Sequence, residues 1–243
     1  QRQLCLRDRA EVAELSETVA VTPETVRRAL TSLEPAGLLR RVHGGAIDVD
    51  LFGFEPALAV RESVHTTEKA RIAEAALELL PQEGAIALDA GSSTFRLAEI
   101  LPTDRQLTVV TNSLPIASML ANRDTLTVHL VGGRVRGRTQ ATVDHAALEY
   151  LQGVFVDIAF LGTNGFSVER GLTTPDSSEA AVKSAFIGAA RRSVLLADHT
   201  KYGSDHFAHF GDLAQVNTIV TDSELPNDAV LELEAAGPKV VRA

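Results

Sequence analysis

The sequence predicts an α/β chain in two unequal modules. A short helical module with an arginine-bearing hairpin comes first, followed by a larger, mostly parallel sheet covered by helices. Three observations predict this. From about residue 67, apolar stretches alternate with amphipathic ones, as expected for parallel strands buried on both faces. Before that, apolar spacings of three and four are closed by proline and glycine. The charge is also uneven. Residues 1–45 hold seven Arg and six acids, whereas residues 46–243 hold 16 Lys or Arg and 26 acids.

The first module is punctuated tightly. Residues 10–19 carry Val12, Leu15 and Val19 as an amphipathic stripe. Thr22 is placed to cap a second helix, and Pro23 fits its first position, where the missing N–H costs nothing. That helix carries Val26, Leu30 and Leu33 on one face, with Arg27 and Arg28 off it, and stops at Pro35 and Gly37. Residues 38–46 then read as strand, glycine turn and return strand. Two helices and a basic hairpin make a winged helix-turn-helix over residues 1–48. Its second helix is narrow enough for the roughly 12 Å major groove of DNA. Thr22, Thr25, Arg27 and Arg28 are the candidate groove contacts, and Arg40, Arg41 and His43 would set the wing along the phosphates. A net charge of −9 ordinarily argues against nucleic acid, but the deficit lies wholly in residues 46–243.

Residues 49–66 read as a linker with some helix near 56–64, and residues 67–243 as the second domain. Expected helices there are 69–80, 94–101, 114–122, 142–151, 178–190 and 228–236. Expected strands are 85–89, 107–111, 125–131, 154–161, 193–197, 218–221 and 239–241. Ligands of such sheets bind beyond the carboxyl ends of the strands, so the candidate site residues come from those ends. Asp89 closes a strand before Gly91, Ser92, Ser93 and Thr94, a small-residue loop opening a helix and suited to a phosphate. Asp89 would repel a phosphate and is expected to accept a sugar hydroxyl or a backbone N–H. Asn112, the Gly132-Gly133 pair with Arg136, and Asn164-Gly165 follow other strands. Asp176 precedes a helix on which Glu179 and Lys183 share one face. Asp198 and Lys201 follow a later strand. Lys183, Lys201 and Arg136 would together balance a phosphomonoester.

The single cysteine, Cys5, excludes an intramolecular disulfide framework and a four-cysteine zinc site. No apolar run approaches the roughly 20 residues that span a membrane, and no signal-peptide pattern opens the chain. A soluble, cytoplasmic protein without cofactor or metal is expected. The chain starts with Gln, and the natural N-terminus is expected to lie further upstream.

Residues 21–30 (VTPETVRRAL), Leu33-Glu34 and residues 37–46 (GLLRRVHGGA) resemble the DeoR family of bacterial transcriptional regulators. So do Glu68-Lys69 with Ile72-Ala73, Asp89 to Thr94, Thr111-Asn112-Ser113, Gly132-Gly133 with Arg136, and Gly162 to Gly165. Gly171 to Asp176 with Glu179 and Lys183, and Ala197-Asp198 with Lys201 and Gly203, extend the likeness. Three departures stand out. The family's usual glycine before the second helix is absent, Pro35 is unusual, and Val143-Asp144-His145 replaces Val-Gly-Pro. The resemblance implies a sensor domain like ribose-5-phosphate isomerase and glucosamine-6-phosphate deaminase, with catalysis given up. It also implies a repressor of carbohydrate genes, released from double-stranded operator DNA by a phosphorylated sugar and acting as a homodimer or homotetramer. An isomerase using Asp89, Glu179 and Lys183 for acid–base work is the alternative. It is disfavoured because an enzyme does not need the N-terminal module.

Overall fold

The computed structural model describes residues 10–33, 39–47 and 55–243. Cys5, the expected helix stop at Pro35 and Gly37, and residues 49–54 of the expected linker lie outside the described residues. The chain divides into two compact units, Gln1–Ser63 and Val64–Ala243.

In the first unit, β1 (Ala10–Glu11) leads into α1 (Val12–Thr18) and α2 (Pro23–Leu33), then β2 (Arg40–Val42) and β3 (Gly45–Ile47). The strands form an antiparallel sheet in the order β1-β3-β2. Val12, Val26, Leu30, Leu39 and Ala46 are its buried core, with Leu15 packed against it, whereas Val19 and Leu33, the last members of the two predicted stripes, are exposed at the helix ends. The Gly44-Gly45 pair has two separate causes. Gly44 sits at φ +85° in the two-residue hairpin turn. Gly45 lies where a Cβ would come within 2.1 Å of the Ala10 carbonyl oxygen, so β1 can pair only with a glycine there. α3 (Leu58–Ser63) ends this unit.

The second unit is built on a seven-stranded sheet. Its strands are β4 (Glu83–Leu88), β5 (Gln106–Thr111), β6 (Leu126–Leu130), β9 (Val156–Gly162), β12 (Ala190–Leu196), β14 (Thr218–Thr221) and β15 (Lys239–Arg242). Their order is β15-β14-β12-β9-β4-β5-β6, and every pairing is parallel. Alternate residues of each strand enter different cores. Ile86, Leu88, Val109, Ile158 and Phe160 pack with α4 (Thr66–Leu77), α5 (Ser92–Glu99) and α6 (Leu114–Leu120). Ala87, Val110, Ala159 and Leu161 pack with α7 (His145–Gln152), α8 (Ser177–Ala189) and α9 (Asn227–Ala235). This double burial is why the strands read as continuous apolar runs. The chain runs outward from β4 through β5 and β6, then returns to β9 on the other side of β4. The order therefore reverses between β4 and β9, and open sheets of this kind bind ligands at the carboxyl edge of such a switch point.

Five segments expected as loops or helix are short strands. β7 (Arg134–Arg136) pairs with β8 (Ala141–Val143), and β10 (Gly165–Ser167), β11 (Gly171–Thr174) and β13 (Ala208–Gly211) form a three-stranded sheet. The expected helix over 142–151 starts only at His145. Thr142 is instead drawn into strand pairing, its N–H donating to the Asn112 carbonyl at 2.8 Å and its hydroxyl to the Val131 carbonyl at 2.6 Å. The helix expected to run to Ala190 ends at Ala189, where β12 begins three residues before its predicted start.

Candidate DNA-binding face and effector site

Thr22 caps α2 as its sequence suggests, its hydroxyl oxygen accepting from the Thr25 N–H at 3.3 Å and touching the Thr25 hydroxyl at 2.9 Å. Val26 and Leu30 point inward, which leaves Thr25, Arg27 and Arg28 exposed on the other face of α2. Arg27 pairs with Glu24 at 3.4 Å, and both side chains are largely exposed. Arg41 donates to the Thr31 hydroxyl at 3.0 Å, which ties β2 to the C-terminal half of α2. His43 is exposed in the hairpin turn, and Arg40 lies in β2. The turn before α2 contains Ala20 at φ +53°, a left-handed conformation that suits glycine.

At the carboxyl edge of the large sheet, three groups of the predicted residues assemble. The first stands at the switch point. Asp89, beyond β4, accepts from the Gly162 N–H at 3.1 Å, and the ammonium of Lys183 on α8 donates to the same carboxylate oxygen and to the Gly162 carbonyl at 3.0 Å. Asp89 and Lys183 are both buried. The second carboxylate oxygen of Asp89 is buried without a hydrogen-bond partner among the described residues, a state that costs free energy unless a donor arrives. Asn112 accepts from the neighbouring Ala90 N–H at 2.9 Å. No side chain caps α5, whose N-cap is Gly91, so the first-turn N–H groups beside Ser92 and Ser93 keep the positive helix end available for an anion.

The second group joins the β7–β8 hairpin to the start of α8. Arg136 donates to Asp176 at 3.1 Å and to Glu179 at 3.1 Å, and the Thr139 hydroxyl also reaches Glu179. Asp176 caps α8 by accepting from the Glu179 N–H at 3.0 Å. Glu179 and Lys183 do share a face of α8, yet Lys183 pairs with Asp89 and Glu179 with Arg136. Nearby, Asp144 replaces a glycine in more than name, with φ +78° and ψ −168°, a backbone region that is essentially glycine's own. Arg134 on β7 engages its carboxylate at 2.6 Å. That arginine first, and the Ser178 hydroxyl second, hold the Asp144 carboxyl below the usual carboxylate range.

The third group lies beyond β12 and β14. Asp198 is buried and accepts from the Thr200 N–H at 3.2 Å. Burial pushes its carboxyl upward, but Lys201, the Thr200 hydroxyl, Lys69 and His65 outweigh that and leave it below the usual range. β12 and β4 flank β9, so Asp198 stands two strands across the edge from Asp89. Next to it, His199, Asp222 and Glu224 bring potential ligand atoms within 4.8 Å of one another. Asp222 already accepts from the His199 N–H at 2.8 Å and the Glu224 N–H at 2.9 Å, and meets His199 Nδ1 at 2.9 Å. It therefore works as the carboxylate that orients an imidazole.

Residues 64–223 match the DeoR C terminal sensor domain, and residues 4–50 match the DeoR-like helix-turn-helix domain. The chain belongs to the DeoR family. It is 37% identical to the HTH-type transcriptional regulator GlpR of Haloferax volcanii, over 96% of this chain and 91% of that one. It is 30% identical to the glycerol-3-phosphate regulon repressor of Escherichia coli, over 88% of this chain and 84% of that one. Among solved structures it aligns with ribose 5 phosphate isomerase A from Neisseria gonorrhoeae at 19% identity and a TM-score of 0.40, covering 56% of this chain and 53% of that one.

In this DeoR-family regulator, several residues of the candidate effector set turn out to have internal duties. The Thr94 hydroxyl, expected to meet a phosphate, donates to the Asp89 carbonyl at 2.6 Å and lies 3.0 Å from that of Gly91. Asn164 accepts from the Thr174 hydroxyl at 2.9 Å. Gly133, at φ +133°, is required because a Cβ would approach the Val143 carbonyl oxygen to 2.4 Å. Gly165 lies within β10, and Gly132 is exposed before β7. Thr139 and His199 were missed, because isolated polar residues in irregular segments carry no periodic signal. Lys69 was visible only as part of a family-like Glu-Lys pair. Among the described residues, no helix is long and apolar enough to cross a membrane.

Proposed function

We propose that this DeoR-family regulator is a repressor of carbohydrate genes in the cytoplasm, released from its operator by a phosphorylated sugar and without catalytic activity of its own. Residues 1–48 bind double-stranded DNA through Thr22, Thr25, Arg27, Arg28 and the wing residues Arg40, Arg41 and His43. Residues 67–243 bind the effector and assemble the homodimer or homotetramer that pairs two half-sites. Similarity to the glycerol-3-phosphate regulon repressor of Escherichia coli supports a phosphorylated carbon source as effector.

The observation that carries the effector half is the switch-point arrangement. One buried carboxylate oxygen of Asp89 lacks a donor while the other is fixed by Lys183 and Gly162, next to the uncapped start of α5. A sugar hydroxyl satisfies the orphaned oxygen, and a phosphate takes the N–H groups of Gly91, Ser92 and Ser93. Arg136, now neutralised by Asp176 and Glu179, and Lys201 beside Asp198 supply positive charge when the phosphate draws them. An aldose–ketose isomerisation needs a general base free to take a proton from substrate. Of the two carboxylates that could serve, Asp89 is paired with Lys183 and Glu179 with Arg136.

The test is a thermal-shift screen against sugar phosphates and their unphosphorylated counterparts, repeated with operator DNA on a gel. A ligand at about 100 times its Kd stabilises the native state by about 2.7 kcal/mol. Stabilisation and operator release by a sugar phosphate, but not by the parent sugar, is the expected result. Turnover of any of these compounds would favour the isomerase. Absence of any shift would refute the effector site.

A further inference from the structure

We propose that Lys69 and His65 are positioning residues that relay effector binding to the linker, by competition between the Asp198 carboxylate and the Val64 carbonyl for one buried ammonium. The proposal rests on the effector function given above and adds the route by which it reaches the chain leading to the DNA-binding module.

Lys69 is 3% exposed on α4, and its Nζ donates to the Val64 carbonyl at 2.8 Å. Val64 is the first residue of the sensor unit, so this bond fixes the point at which the chain enters it. A buried ammonium is retained only where acceptors and negative charge surround it. Asp198, itself buried at the carboxyl edge, is the nearby negative charge, and Lys201 first, then the Thr200 hydroxyl, Lys69 and His65 hold its carboxyl below the usual range against its burial. His65 caps α4 in a left-handed conformation, φ 51° and ψ 41°, which a non-glycine residue adopts only when its surroundings impose it. Those surroundings are visible. The Lys69 N–H donates to the His65 carbonyl at 3.0 Å, and the His65 ring stands edge-on to His199 with centroids 6.0 Å apart. His199 follows Asp198 directly and is anchored by Asp222.

The network has two ends, one at the candidate effector cleft and one at the unit boundary, and it holds a strained residue between them. When a phosphate draws Lys201 away, Asp198 loses its main counter-cation. The Lys69 ammonium then moves toward Asp198 and releases the Val64 carbonyl, and His65 leaves the left-handed region. The coupling comes from differential charge at one carboxylate, as a linked equilibrium requires.

The test uses the full chain and three variants. Lys69→Met keeps the bulk and removes the charge, Lys69→Arg restores the charge, and His65→Gly keeps Lys69 while removing the ring and the backbone constraint. Amide hydrogen exchange of residues 64–69 is followed in the free protein, and effector and operator affinities are measured separately. In Lys69→Met, exchange should accelerate by about 10-fold or more, the signature of a local opening. Its separate affinities for effector and operator should stay within about 3-fold of wild type, while effector-induced loss of operator affinity falls from the 5–150-fold typical of allosteric proteins to about 2-fold or less. Lys69→Arg should recover part of the response. Should Lys69→Met fail to fold, His65→Gly carries the same measurement and should also lose most of the response. Unchanged exchange, or release equal to wild type in both charge-removed and His65→Gly proteins, overturns the relay alone. A wild type that no sugar phosphate releases overturns the function on which the relay depends.

Discussion

Ala20 holds φ at +53° in the turn between α1 and α2, where the family's usual glycine is missing. The departure was visible in the sequence, but its cost became visible only with the backbone. An L-residue in this region loses roughly 1–2 kcal/mol, part of which glycine recovers against its own chain entropy. Ala20→Gly should therefore stabilise the DNA-binding unit by about 1 kcal/mol in a denaturant titration. A destabilised variant would show that the turn is held by something other than backbone preference. At Lys183 the residue scale runs the other way. The Lys183→Met variant strands Asp89 as a buried, unpaired carboxylate, and breaking such a pair costs about 3–5 kcal/mol. Adding Asp89→Leu should recover most of that loss, because replacing both members of a buried pair by apolar groups is often near neutral. Thermal melts of the single and double variants check this, and equal melting points would mean that the pair carries no coupling. Loss of induction in a Lys183 variant is thus interpretable only alongside its stability.

Among the elements, α2 was the most legible. Thr22, Pro23, Val26 and Leu30 define its start and inner face through strictly local rules, and its exposed face follows by subtraction, except that Leu33, expected inside, is exposed at the last turn. Arg28 on that face is the sharper probe, since Arg27 already meets Glu24. Arg28→Ala should weaken operator binding, and a phosphate contact would lower the salt slope by about 0.9. Arg27→Ala should cost less. Unchanged operator affinity for Arg28→Ala, measured by titration at several salt concentrations, would remove α2 from the groove. The β7–β8 hairpin was illegible for the opposite reason. Thr142 looked helical beside Ala146, Ala147 and Leu148, and it becomes strand because Asn112 and Val131, far back in the chain, take its N–H and hydroxyl. The same long-range pairing decides that Arg136 faces Asp176 and Glu179, which no spacing rule predicts.

At the scale of the whole molecule, the charge partition remains the guide to binding. On the proposed function, the acidic excess of residues 46–243 repels the phosphate backbone and leaves DNA contact to a small face around α2 and the wing. One such face binds weakly, and two linked faces gain through effective concentration. Raising salt from roughly 50 to roughly 200 mM should cost on the order of 10³ in operator affinity if the paired modules meet six or more phosphates. Dilution below the point of subunit association should abolish specific retention. Binding that survives both, followed by gel shift and sedimentation, would contradict pairing.

The sequence by itself determined the two modules, the parallel sheet, the capped second helix and the strand ends at which the proposed ligand site lies. All of these follow from local periodicity, capping chemistry and the uniform burial of central strands. Only the tertiary structure decided the partners. It put Lys183 on Asp89, Arg136 on Asp176 and Glu179, and Lys69 on Val64. A side chain's chemistry is written in its own residue, but which opposite charge it meets depends on strand order and helix placement. Those are set by the packing of two apolar cores, one on either face of the sheet.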